Sequence, residues 1–267
     1  MNYKHKTLAF LFFFTTCSND LSATFIKHIF VDINALVATS PTAASKIVGI
    51  INSMKYTARV GHIPSKSDFF KALKNVPAQS SQLTYNDDLV MPAILSDWLL
   101  GLQSNNTIRY IINQYLEKCS ISEIEKTIFK NISSMMMNPA IFIDTQYLMK
   151  DIAKILHTLK KSGYNIYIIG NWDKESEQFL MKLLHGHFLP EARHCYFSSK
   201  AKQLKPHSEY FELLVEHFNV NIEESLIIDV EKNHVQAARH QGFSTILLHG
   251  HNPTQLKSEL SRIGIKI

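Results

Sequence analysis

A chain of 267 residues is long enough for one large domain or for a core domain that carries an insert. Its hydrophobic fraction of 45% is ordinary for a globular protein, and the composition excludes an intrinsically disordered chain. The formal net charge is +5, but the basic residues are scattered rather than clustered, so we expect no nucleic-acid partner.

The first 23 residues have the pattern of an export signal. Lys4 and Lys6 precede the apolar run 8–14, and small and polar residues follow it. This pattern is typical of a secretory signal peptide, and the run is shorter than the ~20 residues that cross a bilayer. We therefore predict a signal peptide at 1–23, export to a periplasm or out of the cell, and no membrane span in the mature chain. Lipid attachment at Cys17 and a buried N-terminal segment are the weaker alternatives.

The rest of the chain changes its pattern twice. A short apolar run at 29–33 contains an acid near its end, as a buried parallel strand can. From 42 to 139 the pattern is mostly helical, with helices predicted at 107–119 and from 120 or 122 to 132, and a polar loop predicted at 75–92. After 139, helices are predicted at 147–161, 174–184, 208–218 and 235–241, and strands at 166–169, near 197, at 226–229 and at 244–248.

This alternation predicts an α/β fold. Strands that alternate with helices of this length form a parallel sheet covered on both faces. We therefore predict a Rossmann-like core made of 24–41 and 140–267, with an all-helical cap, 42–139, inserted after the first strand.

The cysteines and histidines form no recognisable metal or disulfide motif. Cys119 and Cys195, which remain after signal cleavage, lie far apart in the sequence, so we interpret them as buried side chains, with pairing after export as the alternative. No HExxH or CxxC pattern occurs, and His249 and His251 are spaced as residues of an exposed loop.

Polar residues follow the predicted strands. In parallel sheets, ligands bind beyond the carboxyl ends of the strands. The residues at those ends are Asp32, Gly170, Asn171, Ser198, Ser199 and Asp229. Buried carboxylates are costly unless they are paired or used, and Lys205 lies on a predicted loop nearby. A carboxylate nucleophile, a lysine that balances charge and a second carboxylate that holds Mg²⁺ would make a phosphoryl-transfer site.

Four segments in this order resemble the motifs of the haloacid-dehalogenase-like hydrolases. They are FVDINAL (30–36), YIIGNWDKES (167–176), LKPHSEYFELL (204–214) and LIIDVEKNHVQAARHQGF (226–243). The resemblance covers most of residues 30–248 and is closest to phosphatase-like members that carry an Asn-Trp-Asp run after the second strand. It implies a helical cap between the first two motifs, a small phosphorylated or anionic ligand, and Mg²⁺ as cofactor.

The resemblance also implies roles for individual residues. Asp32 matches the nucleophile that forms an aspartyl-phosphate, Lys205 matches the lysine that balances its charge, and Asp229 matches an acid that binds Mg²⁺. The ion would also contact the backbone carbonyl of Asn34. The predicted substrate contacts, all within the second motif, are Gly170, Asn171 and Trp172.

The chain departs from the family pattern at three of its motifs. Asn34 stands where phosphatases carry an aspartate that acts as general acid and base, and such help is worth about 10²–10⁴-fold in rate. Gly170 replaces a serine or threonine, so one hydrogen bond to phosphate is lost. Val230 replaces an acid, which removes a metal ligand unless Glu231 substitutes for it, and His234 replaces a common asparagine.

Three functions therefore stay open. Asp32, Lys205 and Asp229 together predict a slow Mg²⁺-dependent phosphomonoesterase. The losses at Asn34, Gly170 and Val230 favour a pseudoenzyme that binds a ligand or a protein through its cap and crevice. The third alternative is a carbon–halogen hydrolase, whose relatives need neither a metal nor an acid two residues after the nucleophile, but the Asn-Trp-Asp run points to the phosphatases.

Overall fold

The computed structural model of the protein describes residues 25–185 and 192–266. The predicted signal peptide at 1–23, including Cys17, lies outside the described residues. The strands are β1 (His28–Asp32), β2 (Val37–Thr39), β3 (Tyr85–Asn86), β4 (Leu89–Val90), β5 (Gln146–Leu148), β6 (Asn165–Gly170), β7 (Cys195–Phe197), β8 (Ser225–Asp229) and β9 (Ser244–Leu247). The helices are α1 (Ile33–Leu36), α2 (Pro41–Val48), α3 (Ile50–Val60), α4 (Lys66–Leu73), α5 (Ala93–Leu99), α6 (Asn105–Lys118), α7 (Glu123–Met136), α8 (Pro139–Asp144), α9 (Lys150–Lys161), α10 (Lys174–His185), α11 (Ser198–Ala201), α12 (Ser208–Phe218), α13 (Lys232–His240) and α14 (Pro253–Arg262).

Strand β1 lies at the centre of a five-stranded parallel sheet with the order β7-β6-β1-β8-β9. The chain builds this sheet outward from β1 to one side through β6 and β7, and then to the other side through β8 and β9. The strand order therefore reverses at β1, and ligands of such sheets bind beyond the carboxyl ends of the strands at the reversal. The predicted parallel α/β core is confirmed.

Side chains of β1 alternate between the two faces of the sheet. Ile29 and Val31 belong to a hydrophobic cluster with residues of α9 and α14, whereas Phe30 belongs to a second cluster with residues of α12 and α13. Helices thus cover both faces, which is why β1 can be apolar at successive positions and fully buried. The acid at its end, Asp32, is the one polar residue buried with it.

The region between β2 and β5 forms a separate layer over the core. These two strands pair with each other in antiparallel fashion, so the chain leaves the core and returns to it at one place. Helices α2 to α8 lie between them. They share a hydrophobic cluster that includes Tyr56, Trp98 and Ile112, and the core residue Leu204 joins it. The exact limits 42–139 of this cap stay a prediction.

The cap also contains a two-stranded hairpin, β3–β4, where the sequence predicts a polar loop in an all-helical cap. The two turn residues, Asp87 and Asp88, have φ angles of 52° and 59°. Positive φ at both central residues is the type I′ turn that matches the twist of a hairpin. Asn-Gly or Asp-Gly is the usual sequence signal for this turn, so an Asp-Asp pair does not reveal it.

Two further observations concern the cysteines and the membrane. Cys119 is half-buried and Cys195 is buried, and no disulfide joins them in this structure, contrary to the alternative of pairing. Among the described helices, none has the length and apolar character needed to cross a membrane.

Candidate active site

Asp32 and Asp229 lie side by side at the carboxyl ends of two neighbouring strands, because the residues before them are paired in the register of β1 and β8. Each carboxylate uses one oxygen within its own segment. Oδ1 of Asp32 accepts a hydrogen bond from the backbone N–H of Asn34 at 2.8 Å, and Oδ1 of Asp229 accepts one from that of Glu231 at 2.9 Å. Oδ2 of each carboxylate accepts a hydrogen bond from Nζ of the same residue, Lys205.

Lys205 supplies the positive charge between the two carboxylates. It lies in the segment between α11 and α12, and its backbone N–H donates to Oδ1 of Asn171 at 2.9 Å. Its Nζ donates to Oδ2 of Asp32 and to Oδ2 of Asp229. All three charged side chains are 0% exposed. Removing one partner from such a buried set costs about 3–5 kcal/mol, so the three groups depend on one another.

The two carboxylates titrate differently, although both contact the same lysine. Burial and the charge of Asp229 raise the pKa of Asp32 to about 6. Burial also acts to raise the pKa of Asp229, but Lys205 and His234 outweigh it and hold this pKa below its usual range. Burial acts to lower the pKa of Lys205, yet the two carboxylates raise it above its ordinary value. One carboxylate is therefore firmly ionised, while the other can still take up a proton.

His234 is a fourth ionisable group at this point. It lies in the first turn of α13 and is 2% exposed, with Nδ1 3.3 Å from Oδ2 of Asp229. Nε2 makes no hydrogen bond to a described residue. Asp32, Asp229 and His234 each offer a ligand atom, and these atoms lie within 4.8 Å of one another. In the sequence, His234 stands out only as a departure from a motif, although its place in the first turn after a strand-end acid is the signal that could have found it.

Glu231, predicted as the substitute metal ligand, points away from the two aspartates. Its carboxylate accepts hydrogen bonds from the backbone N–H groups of Asp87, at 2.7 Å, and Asp88, at 3.3 Å. Both donors belong to the hairpin turn of the cap. Contact with an ion shared by Asp32 and Asp229 would require these bonds to break, so the structure does not bring Glu231 together with the other predicted ligands.

The backbone carbonyl of Asn34 already has a partner. It lies 2.7 Å from Nε2 of His251, and because a carbonyl oxygen can only accept, Nε2 must carry the proton of the ring. His251 is half-buried, whereas His249 is exposed. Both histidines lie in the loop after β9, as predicted, but His251 is less exposed than expected because this loop folds back over the strand ends. An ion that used the Asn34 carbonyl would compete with this ring.

The profile of the haloacid dehalogenase-like hydrolases matches residues 96–248, which is more than half of the chain. The chain belongs to this family. No curated protein sequence matches it.

Solved structures with the same fold come from several members of this family. A HAD family enzyme from Bacteroides thetaiotaomicron is 16% identical, with 87% of this chain and 98% of that chain covered and a TM-score of 0.56. A predicted HAD-like family hydrolase from Porphyromonas gingivalis is 16% identical, covers 89% and 98% of the two chains, and has a TM-score of 0.50. A dehalogenase is 14% identical, with 91% and 98% covered and a TM-score of 0.51. Likeness at these identities shows the shared fold alone.

In this haloacid dehalogenase-like hydrolase, Gly170 is enclosed by its neighbours. Its N–H lies 3.2 Å from the hydroxyl of Tyr210, which accepts the hydrogen bond. A Cβ atom at position 170 would lie 2.6 Å from Cγ2 of Ile33, closer than real Cβ contacts allow. The serine or threonine of the family pattern therefore does not fit here without movement of Ile33.

Asn171 and Trp172 hold the surrounding structure in place. Nδ2 of Asn171 donates to Oγ1 of Thr84 in the cap at 2.7 Å and to the backbone carbonyl of Lys205 at 2.9 Å. Trp172 is 5% exposed, and its backbone N–H donates to Oγ of Ser198 at 3.0 Å. Both residues also border the cavity described next. Their predicted role as substrate contacts stays a prediction.

A cavity of about 570 Å³ lies between the core and the cap. Its core wall includes Asn34, Asn171, Val230, His234 and His251, and its cap wall includes the aromatic residues Phe69, Phe70, Tyr85, Trp98 and Phe142. The charged side chains of Asp32, Lys205 and Asp229 do not line it and have no exposed surface. A ligand in the cavity therefore reaches Asp32 only if side chains of the core wall, such as Asn34 or His234, move.

Hydrogen bonds hold the cap against the core around this cavity. Oγ1 of Thr84 donates to the backbone carbonyl of Lys205 at 2.8 Å. Nδ2 of Asn105 donates to Oδ1 of Asp173 at 3.1 Å, and the same oxygen accepts from two N–H groups at the start of α10. Together with the bonds from the hairpin turn to Glu231, these contacts describe a closed cap.

The donor set fits a divalent cation. Mg²⁺ commonly takes one or two protein carboxylates and completes its shell with water and substrate oxygens. Asp32 and Asp229, with adjacent Oδ2 atoms, supply two such carboxylates. The buried imidazole of His234 is an additional nitrogen donor at the same point.

Proposed function

We propose that the protein is a slow, divalent-cation-dependent phosphomonoester hydrolase with Asp32 as its nucleophile. The observation that carries this proposal is the contact of Lys205 Nζ with both Asp32 and Asp229, beside a cavity large enough for a small organic phosphate. The B. thetaiotaomicron enzyme has been solved in a complex with magnesium and inorganic phosphate, which supports this choice of ligand.

The first step forms an aspartyl-phosphate. Oδ2 of Asp32 attacks phosphorus, the bond from phosphorus to the ester oxygen breaks, and the ester oxygen leaves with that electron pair as an alkoxide or aryloxide, which takes a proton from water. Water then attacks phosphorus, which releases phosphate and regenerates the carboxylate. Asp32 and Asp229 would hold the divalent cation, which would supply positive charge against the phosphate. Lys205 would balance the charge of the nucleophile, as it does in the structure.

The departure of the alcohol gives an expectation about the substrate. Asn34 cannot give or take a proton at neutral pH, so the leaving oxygen must be stabilised by its own chemistry or by water. We therefore propose that substrates with a good leaving group, such as aryl phosphates, are hydrolysed much faster than alkyl phosphates. The aromatic cap wall, with Phe69, Phe70 and Trp98, suits an aryl group.

The test compares phosphate release from an aryl and an alkyl phosphate by wild type, Asp32→Asn and Asn34→Asp. We expect wild type to hydrolyse only the aryl ester measurably and Asp32→Asn to hydrolyse neither. Asn34→Asp should raise hydrolysis of the alkyl ester by about 10²–10⁴-fold. Equal rates for wild type and Asp32→Asn would contradict the proposal.

The second candidate is a binding protein without turnover. It is favoured by the complete burial of Asp32, Lys205 and Asp229 behind the cavity wall. On this reading an anionic ligand occupies the cavity and contacts the cap, and no phosphate is released. Equal affinity of wild type and Asp32→Asn for a ligand, measured by calorimetry, without turnover by wild type would support it over the hydrolase.

We also propose that the mature chain is exported, which rests on the basic, apolar and small-residue pattern of 1–23. The mass of the protein purified from its native host tests this. Loss of the first 23 residues from protein recovered outside the cytoplasm is the expected result, and an intact cytoplasmic chain would contradict it.

A further inference from the structure

The side chain of His234 is buried with one charged neighbour among the described residues. It is 2% exposed, Nδ1 lies 3.3 Å from Oδ2 of Asp229, and Nε2 makes no hydrogen bond to a described residue. A buried polar group without a partner destabilises the folded state by about 1–3 kcal/mol. Imidazole nitrogens are also the commonest protein ligands of metal ions. The buried ring of His234 therefore has the properties of a metal ligand.

The surroundings of His234 match those of a metal site. Ligand atoms of Asp32, Asp229 and His234 lie within 4.8 Å of one another, and all three side chains are buried. Atoms that share one ion at about 2.0–2.2 Å from it lie at most about 4.4 Å apart, so only small adjustments are needed. The three residues come from β1, β8 and α13, and rigid elements hold a site better than loops do.

The carboxylates are already oriented for this purpose. The backbone N–H groups of Asn34 and Glu231 bind Oδ1 of Asp32 and Oδ1 of Asp229, respectively, which fixes the direction of each Oδ2. Such supporting hydrogen bonds orient the ligands of metal centres. Lys205 Nζ contacts both Oδ2 atoms, so an arriving ion must take over at least one contact of the ammonium group.

We propose that Asp32, Asp229 and His234 form a binding site for a divalent first-row transition ion of the Co²⁺ or Zn²⁺ type, and that His234 shifts the site's preference away from Mg²⁺. Mg²⁺ selects oxygen ligands, whereas an imidazole nitrogen favours Co²⁺, Ni²⁺ and Zn²⁺. The inference goes beyond the proposed hydrolysis, because it concerns which ion binds and not what the bound protein catalyses.

The test titrates metal-free protein with Co²⁺ and measures its visible absorption, followed by displacement with Zn²⁺ and a separate calorimetric titration with Mg²⁺. The variants are His234→Asn, which carries the amide found at this place in the family pattern, and His249→Asn, the same change at an exposed histidine. We expect His234→Asn to weaken Co²⁺ binding by at least about 10-fold and to change Mg²⁺ binding by less than about 3-fold. His249→Asn should bind both ions as wild type does.

A second variant distinguishes the loss of a metal ligand from a folding defect. His234→Cys should keep Co²⁺ binding and add the near-ultraviolet absorption of a cobalt–thiolate bond, which appears only if residue 234 ligates the ion. Thermal unfolding of the metal-free variants checks that each is folded. Equal Co²⁺ affinities in wild type and His234→Asn, or no thiolate band in His234→Cys, would overturn the inference.

The outcomes separate this inference from the proposed hydrolase. Co²⁺ binding through His234 without phosphate release would contradict only the proposed function. Phosphate release that needs Mg²⁺, with Co²⁺ binding unaffected by His234→Asn, would contradict only the metal assignment.

Discussion

Ile33 fills the space that a side chain at position 170 would need. The Cγ2 atom of Ile33 lies 2.6 Å from where a Cβ atom of residue 170 would be placed. The absence of a hydroxyl at position 170 is therefore linked to Ile33, the residue that follows the proposed nucleophile Asp32. Restoring the serine of the family pattern alone should disturb the site rather than repair it.

The first prediction is a double-mutant cycle on this pair. Gly170→Ser should lower the free energy of unfolding by about 1–3 kcal/mol, because it overpacks a filled site. In the background Ile33→Ala the same change should cost at least about 1 kcal/mol less, since the obstructing methyl group is gone. Urea unfolding of the four proteins gives the coupling, and strict additivity would refute the steric link.

The second prediction concerns pH. The pKa of Asp32 is raised to about 6 by burial and by Asp229, above the value of about 3.9 in an unfolded chain. A raised pKa means that the protonated form is favoured in the folded state, so its stabilising contribution is full below the unfolded pKa and is lost as pH rises through about 6. Metal-free wild type should therefore gain stability relative to Asp32→Asn as the pH falls from about 7.5 to about 4.

The measurement is urea unfolding of both proteins across this range in the presence of a chelator. Asp32→Asn is the matched control, because it keeps the size of the side chain and removes the titrating group. A stability difference that is constant with pH, or that changes in the opposite direction, would contradict the raised pKa.

At the scale of residues, the sequence predicts the position of a side chain correctly where a simple rule relates that position to a strand end. Asp32 and Asp229 follow apolar strands, and the sheet rule places both at one edge. His234 and His251 follow no such rule. Their positions depend on how α13 starts and on how the loop after β9 folds back, and both are set by packing between segments.

At the scale of elements, local sequence signals account for most of the agreement between the predicted and the observed helices. Helix α7 begins where the capping-box pattern Ser122–Glu125 predicts, and both of its reciprocal hydrogen bonds are present. Helix α12 spans the predicted 208–218. The predicted helix 147–161 instead begins at Lys150, because 146–148 pair with β2 as strand β5, a contact that no local pattern reveals.

The third prediction concerns the hairpin β3–β4, which attaches the cap to the core. Glu231 is the core residue that accepts hydrogen bonds from both turn residues, Asp87 and Asp88. Hydrogen bonds to a charged group contribute about 1.5–3 kcal/mol, so Glu231→Ala should speed hydrogen exchange of the hairpin by about 10- to 100-fold. Exchange measured by mass spectrometry should stay unchanged in the central sheet.

Glu223→Ala serves as the control for this experiment, because Glu223 is an exposed acid with no bond to the cap among the described contacts. It should leave exchange of the hairpin as in wild type. Similar exchange in Glu231→Ala and wild type would show that other contacts, such as Thr84 with Lys205, hold the cap closed.

At the scale of the whole molecule, the site exists because the strand order reverses at β1. Chain segments around residues 32, 171, 205 and 229 meet at that reversal, although more than 100 residues separate the first from the second. The alternation of strands and helices predicts a parallel sheet. It does not predict the strand order, because that order depends on the side of β1 on which each crossover connection places the next strand. In the sequence, the resemblance of the four motifs to those of the family is what indicates that these segments meet.

The most direct test of this account is a crystal structure of the protein grown with a divalent cation and beryllium fluoride, which mimics a phosphoryl group on a carboxylate. The account predicts beryllium fluoride on Oδ2 of Asp32, with Lys205 Nζ in contact with it and the ion between Asp32 and Asp229. A crevice without beryllium fluoride, in which Lys205 still bridges the two carboxylates at saturating concentrations of both reagents, would contradict it.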